Sequence, residues 1–225
     1  MFENFDFSSA MRILSVSFIP AVLGIILHEV AHGWMARRCG DPTAELSGRL
    51  TLNPIPHIDP MGLAVFALTS LSGSFVFGWA KPVPVDARYF RHPERDMMLV
   101  SLSGPATNFL LAILFGLFLY MSVYWLPFEE LRNNGVYQFL LSNCQMGVVI
   151  NFGLCWLNLV PVPPLDGSKI LAYFLPSHIA WKFMDMGRYG FVILLILLFT
   201  GILGKILGPL VKWSVISLYS ALGLM

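Results

Sequence analysis

Ile25-Ile26-Leu27-His28-Glu29-Val30-Ala31-His32-Gly33-Trp34 closes an apolar run that begins near Met11. From Met11 to Trp34 the run is long enough to cross a bilayer, which takes about 20 mostly apolar residues. A membrane-spanning helix follows, with its polar residues gathered at the far end. On a helix, positions four apart share a face, so His28 and His32 can aim both imidazoles at one ion. Glu29 sits beside them and can take a proton from a water on that ion. Ionisable side chains are expensive inside a membrane, so this cluster is a functional candidate by default. The bland alternative is an interfacial cluster at a helix end, where Lys or Arg would be the commoner occupants.

The rest of the chain is built for the same solvent. Hydrophobic residues make up 56% of the 225 and charged residues 12%. Soluble domains carry about 25% charged residues. The mean hydropathy of +0.71 agrees, and the length suits one domain over 1–225. A net charge of +1 excludes a broad basic face for nucleic acid. Cys39, Cys144 and Cys155 are odd in number and read as small apolar residues of a bundle. Glu3 and Asp6 stand where a signal peptide would be basic, so the first span is expected to be retained.

Further spans are expected at Met97–Trp125 and at Phe139–Val160, the latter broken by Pro161, Pro163 and Pro164. A short helix should start near Asp166. Residues 189–223 read as one bent span or two short ones. Residues 43–57 are shorter and mixed, and Ala44 to Leu52 reads as a strand or hairpin, closed by Pro54 and Pro56. Residues 61–79 are apolar but rich in Gly and Ser, and either span or dip in and return. If they return, ten of the fourteen basic residues fall on one side, which the positive-inside rule makes cytoplasmic. The expected fold is thus an all-α polytopic helical bundle of four to six spans. It would carry a small membrane-associated strand or hairpin and a re-entrant segment.

A zinc hydrolase needs three protein ligands and one open position. His92 lies in a charged loop and His178 follows Pro176-Ser177, so neither suits. His57 and Asp59, beside the candidate re-entrant segment, could gate or contact the site but read rather as interfacial polar residues. Asp166 follows a span that prolines break, and broken helices at membrane depth line cavities or lie buried in protein. It is the candidate third ligand; the alternative is that it only caps the next helix.

His28-Glu29-Val30-Ala31-His32 in a first span, Ser103-Gly104-Pro105-Ala106-Thr107-Asn108 opening a second, and Asn158 to Gly167 ending a third resemble the site-2 protease family of intramembrane zinc metalloproteases. Gly78-Trp79-Ala80-Lys81-Pro82-Val83 resembles its compact bacterial or archaeal branch, and no inserted PDZ-like domain is seen. The resemblance covers about residues 20–170, leaving C-terminal helices at 185–225. It implies one zinc ion per chain on His28, His32 and Asp166, with Glu29 as the catalytic base. It also implies that Asn158 holds substrate or steadies the oxyanion, although Asn158 could instead bond a backbone group freed by the prolines. Gly104 and Pro105 read as packing, with Asn108 lining the site. The partners implied are transmembrane protein or peptide substrates and the lipid bilayer. The protein would be integral to the cell membrane, its site toward the cytoplasm. An unwound substrate could pair with 44–52 or 159–164. A silent adaptor of the same fold would be expected to lose one of the four site residues, and a zinc carrier should show a ladder of further ligands; neither feature is present.

Overall fold

The computed structural model describes residues 7–72, 80–125 and 133–224. It is all-α, and among the described residues four helices are long and apolar enough to cross a membrane. Helix α1 runs Phe7–Arg38, α4 runs Pro93–Tyr124 and α5 runs Gly135–Asn158. These three pack against one another. Asn134 starts α5 by accepting hydrogen bonds from Val136 N and Tyr137 N, the usual way to satisfy orphan amides at a helix start.

Residues 189–223 resolve into two helices, α8 (Gly187–Phe199) and α9 (Ile202–Ala221), of which α9 is long enough to span. The break is Gly201, at φ +72°, a left-handed conformation that glycine adopts without steric penalty. Between α5 and α8 lie two short helices, α6 (Asp166–Phe174) and α7 (Ser177–Asp185). The 159–164 segment is a succession of turns, with hydrogen bonds from Val162 N to Val160 O and from Leu165 N to Val162 O.

The strand or hairpin expected at 44–52 is not formed. Its first residues are the single-turn helix α2 (Thr43–Leu46). Local turn chemistry explains the difference. The Asp41 carboxylate accepts from Thr43 N at 2.9 Å and starts the turn. Gly48, at φ +66°, ends it, and Arg49 N bonds back to Ala44 O. Among the described residues no strand pairs with this segment, so the Asp41-stabilised turn and the glycine decide the conformation.

Helix α3 occupies Pro60–Ser72. Its 13 residues span about 20 Å at 1.5 Å per residue, short of the roughly 30 Å hydrocarbon core. The remainder of the expected re-entrant segment, 73–79, lies outside the described residues. The two flanks of the segment meet. Lys81 N donates to His57 O, Asp86 N to the Asp41 carboxylate and Arg91 N to Cys39 O. The chain therefore enters α4 beside the point where it left α1.

Candidate metal centre

His28 and His32 lie on one face of α1, as their spacing requires, and both are buried. Their Nε2 atoms are 2.9 Å apart. Asp166 Oδ2 is 3.2 Å from each of them. Asp166 is the first residue of α6; Leu165 occupies the cap position, and no side chain caps the helix. The carboxylate is turned to the imidazoles. Gly167 permits this placement. A Cβ there would meet Leu159 O at 2.3 Å, so α6 starts directly against the turn that precedes it.

The other ring nitrogens are tied down. His32 Nδ1 is 2.7 Å from Val100 O, an atom that can only accept, so this nitrogen carries the proton. His28 Nδ1 is 2.6 Å from Asn108 Oδ1. The Asn108 amide nitrogen donates to Gly24 O and Asn151 Oδ1, each at 3.0 Å, which orients the amide and makes Oδ1 the acceptor. Both neutral imidazoles thus present a bare Nε2 toward the Asp166 oxygen. Three acceptors at these separations are held together only by positive charge among them, either an imidazole proton or a metal cation. Burial works against the charged form of Asp166, and the hydrogen bonds that would hold its carboxyl well below the usual carboxylate range require a proton on one of the two Nε2 atoms, in the place that a metal cation would take. Two nitrogens and a carboxylate oxygen, with both histidines fixed from behind, are a donor set that fits zinc.

Glu29 also lies close enough to the histidines to form a candidate metal group with them. Its Oε2, however, accepts from Val83 N at 2.7 Å. The Asp166 oxygen is the one in contact with both rings, so Asp166 suits a ligand and Glu29 a neighbour of the ion. His28, Glu29, His32, Asn158 and Asp166 line one cavity of about 390 Å³, together with Pro82, Val83 and Lys169. Asn158 reaches this cavity, but its Nδ2 donates to Leu154 O one turn back in α5, not to a group freed by the prolines.

The other sequence candidates lie elsewhere. His92 and His178 are exposed. His57 is buried; its Nε2 donates to Thr51 O and its carbonyl accepts from Lys81 N. Asp59 caps α3 through Met61 N and Gly62 N. Sequence reasoning missed Val83, Lys169 and Asn151. Val83 had a visible signal, since Pro82 and Pro84 leave it the one amide donor in that tripeptide. Asn151 was legible as a polar residue within an apolar span. Lys169, whose Nζ lies 3.5 Å from Asp166 Oδ1, had none beyond sharing a helix face with it.

No family model matches the chain, and no solved structure matches it. Three curated relatives each carry the name "Putative zinc metalloprotease". YwhC of Bacillus subtilis is 35% identical over 208 residues, covering 91% of this chain and 90% of the relative. Rip2 of Mycolicibacterium smegmatis is 32% identical over 196 residues, covering 85% and 70%. MJ0611 of Methanocaldococcus jannaschii is 26% identical over 187 residues, 82% of each chain. With that identity along most of both chains, and with a donor set suited to zinc at the end of a spanning helix, the chain belongs to the zinc metalloprotease family of YwhC and Rip2, consistent with a compact site-2 protease-like group.

Proposed function

We propose that this protein is an intramembrane zinc metalloprotease that hydrolyses peptide bonds of transmembrane substrates. His28, His32 and Asp166 hold one zinc ion per chain, and Glu29 is the catalytic base. The observation that carries the reading is the convergence of His28 Nε2, His32 Nε2 and Asp166 Oδ2 within 3.2 Å of one another. A zinc ion bound there supplies a Lewis acid that polarises a peptide carbonyl and brings the pKa of a coordinated water down to about 7.

The chain's own groups do the rest. Val83 N–H fixes one Glu29 oxygen, which leaves Oε1 to take a proton from the attacking water and pass it to the leaving amine. Asn158, at the cavity wall, is placed to hold substrate or donate to the developing oxyanion. The substrate is locally unwound, because a helix keeps its carbonyls in hydrogen bonds. The whole chain 1–225 acts as one protease domain in the cell membrane, its site toward the cytoplasm. Arg37 and Arg38 at the site end of α1 support that orientation.

The test is cleavage of a model transmembrane substrate in detergent by wild type, by Glu29→Gln and by wild type with a zinc chelator. Cleavage by wild type alone is expected, with the Glu29→Gln rate lower by at least about 100-fold, in line with the usual contribution of a general base. A Glu29→Gln variant that cleaves as fast as wild type overturns the reading.

A further inference from the structure

The hydrogen-bond chain behind His28 crosses all three core helices and has one direction. Asn151 on α5 donates from Nδ2 to Gly147 O at 2.9 Å. That bond leaves Asn151 Oδ1 as an acceptor, and Asn108 Nδ2 on α4 donates to it at 3.0 Å. The second N–H of the same Asn108 amide goes to Gly24 O on α1. Asn108 Oδ1 then accepts from His28 Nδ1. Both asparagines are fully buried, where a polar atom left unpaired is costly. Turning the Asn108 amide over would set its oxygen against Gly24 O and Asn151 Oδ1. Turning the Asn151 amide over would set its oxygen against Gly147 O and its N–H groups against those of Asn108. Two main-chain carbonyls, Gly24 O directly and Gly147 O through Asn151, therefore orient the Asn108 amide and with it set which nitrogen of His28 carries a proton.

We propose that Asn151, which touches neither His28 nor any reacting atom, is a positioning residue for the metal site: through Asn108 it holds His28 with Nδ1 protonated and Nε2 free to bind the ion. The proposal rests on His28 being a zinc ligand. Partners that orient a ligating histidine from behind are typically worth 10–100-fold in metal affinity, and Asn151 acts one residue further out.

The same helix supplies a matched control. Asn143 is also buried on α5 and also donates from Nδ2 to the carbonyl four residues back, Phe139 O at 3.0 Å. It takes no part in the chain to His28. The full-length protein in detergent, as wild type, Asn151→Leu, Asn143→Leu and His28→Ala, is assayed in two ways. Zinc affinity is read by competition with a chromogenic chelator. The His28 ring tautomer is read by ¹⁵N NMR of the metal-free protein with the ring neutral. Asn151→Leu is expected to weaken zinc binding by about tenfold or more and to mix the His28 tautomers. Asn143→Leu is expected to change neither. Wild-type affinity and tautomer in Asn151→Leu overturn the proposal, as does an equal loss in Asn143→Leu, which would mark a general packing effect. Where Asn151→Leu does not fold, Asn151→Ala reads the same two quantities. His28→Ala separates the two readings. If it binds zinc like wild type, the ligand assignment has failed, and the tautomer of the metal-free Asn151 variant still decides whether the relay exists.

Discussion

Gly104 is the residue on which the metal centre depends most closely without contributing a ligand. A Cβ on it would lie 2.5 Å from His32 Cε1 and 2.6 Å from His28 Nε2, far inside the contact distance of about 3.5–4 Å for non-bonded atoms. Both rings rest against the bare backbone of α4, and that approach brings His32 within reach of Val100 O. Gly104→Ala should therefore displace both imidazoles and leave the purified protein with little zinc by elemental analysis. Gly153→Ala on α5, where a Cβ would meet nothing within 4 Å, should keep its zinc. A Gly104→Ala protein with full zinc content would show that the rings have room that the geometry denies. At this scale the helical period made the His28–His32 pair legible in the sequence, because a spacing of four fixes a shared face before any tertiary contact forms. Gly104 was legible only as a packing glycine. What it packs against is decided by the α1–α4 contact, which no local pattern encodes.

Helices α1, α4 and α5 were legible as elements for a similar reason, since a run of about 20 apolar residues has few other structures open to it in lipid. The segment Ala44–Leu52 was not, because a short mixed stretch is a weak signal beside one turn held by a buried carboxylate. The physical agent is Asp41, fully buried and bonded through one oxygen to Thr43 N and through the other to Asp86 N. It ties α2 to the extended stretch leading into α4. Asp41→Ala would strand two backbone amides, each worth about 1–3 kcal/mol when left unsatisfied. Destabilisation of about 2–4 kcal/mol is expected, seen as a lower thermal midpoint by circular dichroism in detergent. Asp41→Asn, which keeps one acceptor, should lose about half as much. Equal midpoints for wild type and Asp41→Ala would mean that water replaces the carboxylate without loss.

Across the whole molecule, the side of the membrane that the proposed site faces turns on whether 61–79 crosses. The exit of α1 and the approach to α4 are hydrogen-bonded to each other through Asp41, Asp86, Cys39 and Arg91, so they share one face of the membrane. Helix α3 alone is too short to carry the chain across. Helix α4, with 32 residues, is about 48 Å long and delivers Asn133 to the other face. Under the proposed orientation, which rests on the positive-inside rule, the first face is expected to be cytoplasmic. Single cysteines placed at the exposed positions Glu45, Arg91 and Asn133 test this, in a chain whose three free cysteines are replaced by serine. A membrane-impermeant thiol reagent added to intact cells should label only the Asn133→Cys protein. Inverted vesicles should give labelling of Glu45→Cys and Arg91→Cys and spare Asn133→Cys. Reaction of Glu45→Cys and Arg91→Cys from opposite faces would mean that 61–79 crosses the membrane. The contacts between their loops could not then form in the bilayer, and the metal centre would face a different compartment from the one assigned.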